Sequence, residues 1–349
     1  MPAVLRRRPT KDDNVKALRW GIMGNARIAR DWLIPAILES KYAELTAVAS
    51  RSLDHAVALA DSLAATTKRP LAFGSYEELL ACGNVDAVYI PLPNHLHVPW
   101  SIKALEAGKH VLCEKPLGMD SNEAEQLLEV SRERPDRLVM EAFMYRFHPQ
   151  WRRVAELLES GAIGRVRHVQ ASFTYDNTDP DNVRNMRDIG GGGLMDIGCY
   201  CISAARFVFG REPEKVVGEL DLDPQFGTDR HASGILDFGA GMSTFQCSTQ
   251  SFPSQLVKII GEKGSLEVEN PFFRRERVPS RLILYRNGGR EIVVIGKHNQ
   301  YVKQVDAFSI AALNGGQSPT PLDDALANMK VIDAIFTSAR KKAWVSISH

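Results

Sequence analysis

Short apolar segments alternate with amphipathic helical patterns over the first part of the chain. Five apolar runs predict buried strands, beginning near residues 18, 45, 86, 110 and 137. Between them, apolar residues recur every three or four positions, and one such helix follows Asp120 with Glu123 at capping-box spacing. Strict alternation of strand and helix predicts a parallel sheet with right-handed crossovers. We therefore expect a doubly wound α/β domain over residues 17–143.

The pattern changes after residue 144. One further helix is predicted for "PQWRRVAELLESG", and strand-like runs such as "RVRHVQASFTY" and "RLILYRNGGREIVVIG" follow, separated by turn signals. A helical pattern, "PLDDALANMKVIDAIFTSARKKA", closes the chain. We expect residues 144–349 to form an α+β domain with a large, mostly antiparallel open sheet, serving substrate binding and oligomerisation. Such a sheet needs cover on both faces, and the helices suffice for one, so a homodimer or higher homo-oligomer is expected.

Composition limits the classes of partner. With 43 basic and 42 acidic residues the net charge is +1, and no long block of like charge suggests a nucleic-acid or membrane surface. Five cysteines without zinc-type pairing favour a reducing, cytoplasmic location. No apolar run could span a bilayer, and the arginine-rich first 15 residues lack the apolar segment of a signal peptide, so we expect a flexible arm there.

The turn after the first strand, "GIMGNARIA", is a candidate phosphate loop. Only Gly24 matches the glycines of G-x-G-x-x-G, since Ala26 and Ala29 occupy the other two positions. Its place between a strand and a helix would still aim backbone N–H groups at a pyrophosphate, from Asn25, Ala26, Arg27 and Ile28. The alternative is a tight turn that binds no ligand.

The end of the second predicted strand indicates which dinucleotide would bind. NAD sites usually place a carboxylate there, whereas this chain has Ser50 and Arg51. A guanidinium would attract the 2′-phosphate of NADP and could stack on adenine. The alternative is a solvated loop arginine.

Two further segments carry candidate chemistry. "HVLCEKPLG" places Lys115 at a strand end that faces the ligand cleft of such a sheet, although lysines there are often simply solvated. In "GGGGLMDIGCYCISAARFVFG", a helix starting near Leu194 would project Asp196 and Tyr200 from one face. Glycines before it would permit close approach to ligands. The alternatives are a flexible glycine loop, a capping Asp196 and a packed Tyr200.

Taken in order, "GIMGNARIA", "IPLPNHLH", "CEKPLG", "NVR" and "GGGGLMDIGCY" resemble the Gfo/Idh/MocA oxidoreductases over nearly the whole chain from about residue 17. Within this family, the segment "MDIGCY" with its tyrosine at position 200 resembles one branch. That branch contains glucose–fructose oxidoreductase, NADP-dependent xylose dehydrogenase and dimeric dihydrodiol dehydrogenase. The resemblance implies a Rossmann domain, NADP as cofactor, and catalytic roles for Lys115, Asp196 and Tyr200. It also implies cofactor contacts from Pro93, Asn94, His97 and Glu114, and substrate contacts from Lys115, Arg184, Asp196 and Tyr200.

The activity so implied is hydride transfer between a carbohydrate hydroxyl and the nicotinamide, most simply oxidation of an aldose at its anomeric carbon. Tyr200 would exchange the proton, with Lys115 lowering the pKa of its phenol or binding the developing alkoxide. Alternatives are a sugar–sugar oxidoreductase with tightly bound NADP, a dihydrodiol dehydrogenase, and a sensor of sugar or NADP without turnover. No metal is expected, because His95 and His97 have no third ligand near them. Tyr145, Arg146 and His148 would either line the cleft or pack within the fold.

Overall fold

The computed structural model describes residues 16–273 and 279–347, so the arm expected over residues 1–15 lies outside the described residues. The N-terminal domain contains a six-stranded parallel sheet in the order β3-β2-β1-β4-β5-β6, as doubly wound dinucleotide-binding folds do. Its strands are β1 Leu18–Met23, β2 Ala43–Ala49, β3 Leu71–Phe73, β4 Ala87–Ile90, β5 His110–Cys113 and β6 Val139–Glu141. The predicted fold class is confirmed, although the short, partly exposed β3 was not predicted.

The helices of this domain lie where the periodicity predicts them. Asp120 caps the fifth helix by accepting a hydrogen bond from Glu123 N at 2.9 Å, and the Glu123 carboxylate accepts one from Met119 N at 2.8 Å. A π-helical turn over Ala29–Leu33 precedes the first helix. The helices are α1 Ile34–Glu39, α2 Leu53–Leu63, α3 Tyr76–Ala81, α4 His97–Glu106 and α5 Ser121–Arg132.

The C-terminal part is built on a nine-stranded sheet in the order β14-β13-β12-β11-β7-β10-β9-β8-β15, in which only the β7–β10 pair is parallel. The helices packed on it are α6 Pro149–Glu159, α7 Cys199–Phe209 and α9 Leu322–Lys341. The strands are β7 Val166–Asp176, β8 Lys215–Leu222, β9 Asp229–Asp237, β10 Met242–Ser248, β11 Gln250–Gly261, β12 Gly264–Glu269, β13 Ser280–Arg286, β14 Gly289–Gly296 and β15 Val345–Ser346. A mostly antiparallel sheet was predicted and is present.

Helix α8, Gln300–Leu313, was not predicted and returns the chain to the first domain. The Phe308 ring lies 5.2 Å from that of Trp20 in β1, and the Trp20 indole N–H donates to Ser309 Oγ at 3.1 Å. Asn299 caps the helix by accepting from Tyr301 N at 3.0 Å. An asparagine cap followed by apolar residues at 301, 305 and 308 is the sequence pattern from which this helix could have been predicted.

Two features bear on the expected partners: an apolar helical segment and an exposed face of the larger sheet. The stretch Arg187–Phe209 is, among residues 16–273 and 279–347, the one helical segment apolar and long enough to cross a membrane, yet 83% of its apolar window is buried in the fold. The sheet face opposite the helices is open and exposes Met242, Ile260, Ile292 and Val294, which the strand register places on one side. Phe252, at the bulged start of β11, is 88% exposed.

Candidate functional site

The structure brings Lys115 and Asp196 together across the domain boundary. Lys115 follows β5 at the carboxyl edge of the parallel sheet, where ligands bind in such folds. Its ammonium donates to Asp196 Oδ1 at 2.9 Å and to the Asp196 carbonyl oxygen at 2.5 Å. Only 10% of the Lys115 side chain and 13% of the Asp196 side chain are exposed, so water screens this ion pair weakly.

The second oxygen of Asp196 receives two more donors. Tyr175 Oη donates to Oδ2 at 2.6 Å and Arg184 Nε donates to the same atom at 2.9 Å. Burial opposes ionisation of Asp196, but the charges of Arg184 and Lys115 and these hydrogen bonds outweigh it and hold the pKa of that carboxyl well below its usual range. Burial likewise opposes the charge on Lys115, but Asp196 outweighs it and raises the pKa of the ammonium. Both groups are therefore ionised at neutral pH.

The glycine run before Asp196 is a closely packed connection. Gly190 has φ +84°, and a Cβ there would lie 2.8 Å from Asn94 Cβ. Gly192 has φ +120°, and a Cβ there would lie 2.0 Å from Asp229 Oδ1. Asn94 Nδ2 donates to the Gly190 carbonyl at 2.7 Å, which joins the two domains. The flexible-loop alternative does not fit this geometry, because the glycines pack closely against Asn94 and Asp229. The expected close approach to ligands stays a prediction.

Asp229, at the start of β9, caps the helical segment that carries Asp196. Its Oδ2 accepts from Leu194 N at 2.6 Å, and its side chain is nearly fully buried. Burial raises the pKa of Asp229 to about 7. A carboxyl group distant in sequence therefore supplies the cap that the local glycines cannot provide.

Tyr200 lies near the cluster, and its hydroxyl donates a hydrogen bond to a methionine sulfur. Residues Leu194–Gly198 form a π-helical turn before α7, so Asp196 and Tyr200 are not related by a regular α-helical turn. Tyr200 Oη lies 3.5 Å from Met144 Sδ, whereas Lys115 Nζ faces the ring at 5.0 Å from its centroid. The ring packs against the aromatic side chains of Phe143, Tyr145, Phe173 and Phe272.

Lys115 was expected either to lower the pKa of the Tyr200 phenol or to bind the developing alkoxide, and the second role stays a prediction. The first role does not hold in this arrangement, since burial raises the pKa of Tyr200 well above its ordinary value. The physical reason is that the ammonium contacts the ring and gives no hydrogen bond to the oxygen, so the phenolate would be buried without a donor.

The residues of the predicted phosphate loop fit a dinucleotide. Gly24 has φ +109°, and a Cβ there would approach Leu92 Cδ2 at 3.0 Å, so the first glycine is required. Among the described residues only Asn270 and Lys342 are non-glycines with positive φ, so Ala26 is unstrained. The backbone from Asn25 through Ile28 leads into a helix, while the Arg27 side chain turns outward to Asp31 at 3.1 Å. Backbone N–H groups, not this side chain, would bind phosphate.

The residues predicted to contact adenosine and nicotinamide lie at the ends of β2, β4 and β5. Arg51 follows β2, is exposed, and has no carboxylate within ion-pair distance in the part of the chain that the structure describes. Ser50 beside it is buried. At the other end, Tyr89 Oη donates to Glu114 Oε1 at 2.6 Å, and burial raises the pKa of Glu114. Pro93 and Asn94 lie in the loop after β4, which faces the glycine run.

His97 does not fit its predicted role as a cofactor contact. Its ring is fully buried, with Nδ1 2.8 Å from the Pro116 carbonyl oxygen and Nε2 2.7 Å from the Leu92 carbonyl oxygen. Burial lowers its pKa to about 4. Both ring nitrogens lie within hydrogen-bond distance of a backbone carbonyl oxygen, and the neutral ring donates to one of the two, so His97 links the loops that follow β4 and β5 instead.

Tyr175 was not predicted as a site residue. In β7 the residues 169, 171, 173 and 175 alternate onto the face that the helices cover, so a phenol at the end of this series was the available signal. Conversely, Tyr145 and Arg146 pack within the fold. Tyr145 Oη lies 2.7 Å from Ser203 Oγ, and Arg146 pairs with Asp324 at 2.7 Å.

The fold and site together define a dinucleotide-binding oxidoreductase whose second domain contributes a carboxylate to the cleft. Comparison with protein families agrees: residues 18–143 match the oxidoreductase family with an NAD-binding Rossmann fold, and residues 151–267 match the GFO/IDH/MocA C-terminal domain. The chain belongs to the Gfo/Idh/MocA oxidoreductase family, as its motifs indicate.

Similar proteins include sugar oxidoreductases. An uncharacterised oxidoreductase of Rhizobium meliloti is 43% identical, with 95% of this chain and 99% of that protein aligned. A D-xylose 1-dehydrogenase (NADP(+)) of Haloferax volcanii is 37% identical over 95% of this chain and 100% of that protein. A 3-ketoreductase of Actinomadura kijaniata, solved with NADP and TDP-benzene, has a TM-score of 0.86 and 34% identity, covering 93% of this chain and 98% of that one.

We predict that Gly192→Ala destabilises the protein by at least about 2 kcal/mol, because an L-residue is strained at this φ and its Cβ collides with Asp229. Gly83→Ala is the matched control, since a Cβ there meets nothing within 4 Å. Urea unfolding of both variants measures the difference. Equal unfolding midpoints would contradict the close packing of the glycine run.

Proposed function

We propose that this oxidoreductase uses NADP and transfers a hydride between the nicotinamide and a carbohydrate carbon that bears a hydroxyl or keto oxygen, in the manner of an aldose 1-dehydrogenase. The observation that carries the proposal is the buried Lys115–Asp196 pair at the carboxyl end of β5, beside Glu114. The NADP(+)-dependent xylose dehydrogenase and the NADP-bound ketoreductase among similar proteins support it.

The nicotinamide, when bound, would accept or supply the hydride. Asp196 accepts two hydrogen bonds from the Lys115 ammonium, which leaves one N–H for a substrate oxygen. A cation at that oxygen stabilises the negative charge that develops there during hydride transfer in either direction. Arg184, whose side chain is 43% exposed, extends the positive wall toward the open cleft and would contact the rest of the sugar.

Reduction of a keto sugar is a second candidate, favoured by the protonation of the site. Lys115 has a raised pKa, and burial raises the pKa of the Tyr200 and Tyr175 phenols. Every candidate proton donor therefore carries its proton at neutral pH, as reduction requires, and oxidation should accelerate as the pH rises. The similarity to a 3-ketoreductase agrees with this direction.

The test is turnover on a substrate panel. Purified protein is incubated with aldoses, polyols and dihydrodiols under NADP, and with keto sugars under NADPH, while reduced nicotinamide is followed by absorbance. Aldose-dependent NADPH formation supports the dehydrogenase, and NADPH consumption with a keto sugar supports the reductase. Turnover that needs two sugars and releases no NADPH indicates the sugar–sugar oxidoreductase. No turnover with any pair would overturn the proposal and favour a sensor.

We predict that Arg51→Ala raises the Kd for NADP about 10- to 100-fold, because one charge-assisted contact to the 2′-phosphate is lost. Affinity for NAD should stay within about 2-fold, since NAD has no such phosphate. Arg69→Ala serves as control, because this exposed arginine pairs with Asp61 on α2. Fluorescence titration measures both affinities, and equal losses for NADP and NAD would contradict the assignment.

We propose Tyr200 as the proton-exchanging group, because its ring lies beside the Lys115 ammonium, which is 5.0 Å from the ring centroid. Tyr200→Phe should lower turnover by roughly 10²–10⁴-fold while NADP binding survives. Lys115→Met should also impair turnover, and the double variant should lose far less than the product of the single losses. Near-wild-type turnover of Tyr200→Phe would remove this residue from the mechanism. Melting temperatures of the same preparations separate a loss of folding from a loss of chemistry.

We propose self-association through the open face of the nine-stranded sheet. Its exposed Met242, Ile260, Ile292 and Val294 form apolar surface that a second copy would cover. Sedimentation at micromolar concentration should show a dimer or higher oligomer, and Ile292→Glu should shift it toward monomer. A wild-type monomer would refute this interface.

We also propose a cytoplasmic location. None of the five cysteines forms a disulfide, and four of them are buried as thiols. Such thiols suit a reducing compartment. Cell fractionation of the expressed protein tests the assignment.

A further inference from the structure

We propose that Tyr175 is a positioning residue for the reaction: its hydroxyl fixes the Asp196 carboxylate, which in turn holds the Lys115 ammonium toward the substrate oxygen. The inference rests on the proposed function for its catalytic meaning. Its structural basis is independent of the substrate, because it concerns contacts among this chain's own side chains.

The first step is the division of the two Asp196 oxygens. Tyr175 and Arg184 both donate to Oδ2, at 2.6 and 2.9 Å, and Oδ1 is left to Lys115. The carboxylate cannot rotate about its Cβ–Cγ bond without breaking at least one of these hydrogen bonds. The donors on Oδ2 therefore decide where Oδ1, and with it the ammonium, is held.

The second step concerns which donor is fixed. Arg184 lies in a short 3₁₀ turn, Val183–Asn185, and its side chain is 43% exposed, so water competes for its guanidinium. Tyr175 belongs to β7, and both its neighbours, Thr174 and Asp176, are paired with β11. Its backbone is therefore held by strand pairing on both sides, near the end of β7 and opposite the bulge in β11. Tyr175 is thus the more rigid of the two supports.

The third step separates positioning from packing. The rings around Tyr200 form an aromatic cluster, but no ring contact joins Tyr175 to another aromatic side chain within the described residues. What distinguishes Tyr175 from phenylalanine is its hydroxyl, and that hydroxyl makes a short hydrogen bond to a buried carboxylate. A phenol chosen only to fill space would not need this contact.

The consequence appears at Lys115. The Asp196 charge raises the pKa of Lys115 against the effect of burial. If Tyr175 no longer fixes the carboxylate, Asp196 moves away from the ammonium for part of the time, and the pKa of Lys115 falls. The ammonium then loses its proton at lower pH and is less well aimed.

The experiment compares Tyr175→Phe with Tyr285→Phe. Tyr285 also directs its hydroxyl at a carboxylate, Glu267 Oε2 at 3.5 Å, but on β13, away from the cluster. The first measurement is pH-dependent acetylation of Lys115 by acetic anhydride, followed by peptide mass spectrometry. In Tyr175→Phe the labelling curve of Lys115 should move to lower pH, and in Tyr285→Phe it should match the wild type.

The second measurement is steady-state kinetics with the best substrate of the panel. Tyr175→Phe should lower kcat about 10- to 100-fold, the range expected for one hydrogen bond to a charged group. The KM for NADPH should stay within about 2-fold, and the alkaline limb of the reduction profile should move to lower pH. Tyr285→Phe should leave all three unchanged.

The outcomes are distinct. An unchanged Lys115 labelling curve in Tyr175→Phe overturns the inference, even if turnover falls, because a merely structural role lowers the melting temperature without moving that curve. If the curve shifts in Tyr175→Phe but the wild-type protein turns over no sugar, the link between Tyr175 and Lys115 holds and only the proposed function is refuted. A shifted curve with normal kcat would also overturn the positioning role.

Discussion

The buried carboxylate of Asp196 is the constraint on which the site depends. An ionised carboxyl group removed from water is costly unless charges and donors surround it. Here three side chains do so: Lys115 after β5, Tyr175 in β7, and Arg184 in the turn that follows. Lys115 belongs to the nucleotide-binding domain, and the others belong to the sheet domain. The contacts that stabilise the Asp196 carboxylate therefore also hold the two walls of the cleft together.

The need to place the Asp196 carboxylate beside Lys115 also explains the path of the chain before Asp196. To reach Lys115, the segment before Asp196 passes between Asn94 of the first domain and Asp229 of the sheet, at distances that leave no room for a Cβ at Gly190 or Gly192. The Asn94–Gly190 hydrogen bond adds a second link between the domains. Asp229 replaces a local capping residue at the start of the helical segment. Glycine here serves close packing and positive φ, not mobility.

Local periodicity was enough to predict the six-stranded sheet's main strands, the antiparallel character of the second sheet, and the positions of Lys115 and Asp196 at the cleft. Helix α8 escaped because its apolar face packs on Trp20, far away in sequence. The spacing of Asp196 and Tyr200 on a regular helix was not realised, because Leu194–Gly198 form a π-helical turn. The alternation of β7 places Tyr175 on the helix-covered face, but it does not specify Asp196, 21 residues away, as its partner. The contact of His97 with Pro116, 19 residues away, is likewise not specified by any local pattern.

The charges of the cleft give the site a consistent electrostatic character. Two cations, Lys115 and Arg184, meet the ionised carboxylate of Asp196, and burial raises the pKa of the neighbouring Glu114. In the proposed reaction, the Lys115 ammonium would lie where the substrate oxygen gains electron density. Because the donors are already oriented by Asp196, little reorganisation is needed when that charge develops, which is the main way enzymes stabilise such transition states. If the proposed function holds, the same arrangement would serve oxidation and reduction, and the proton and cofactor supply would decide between them.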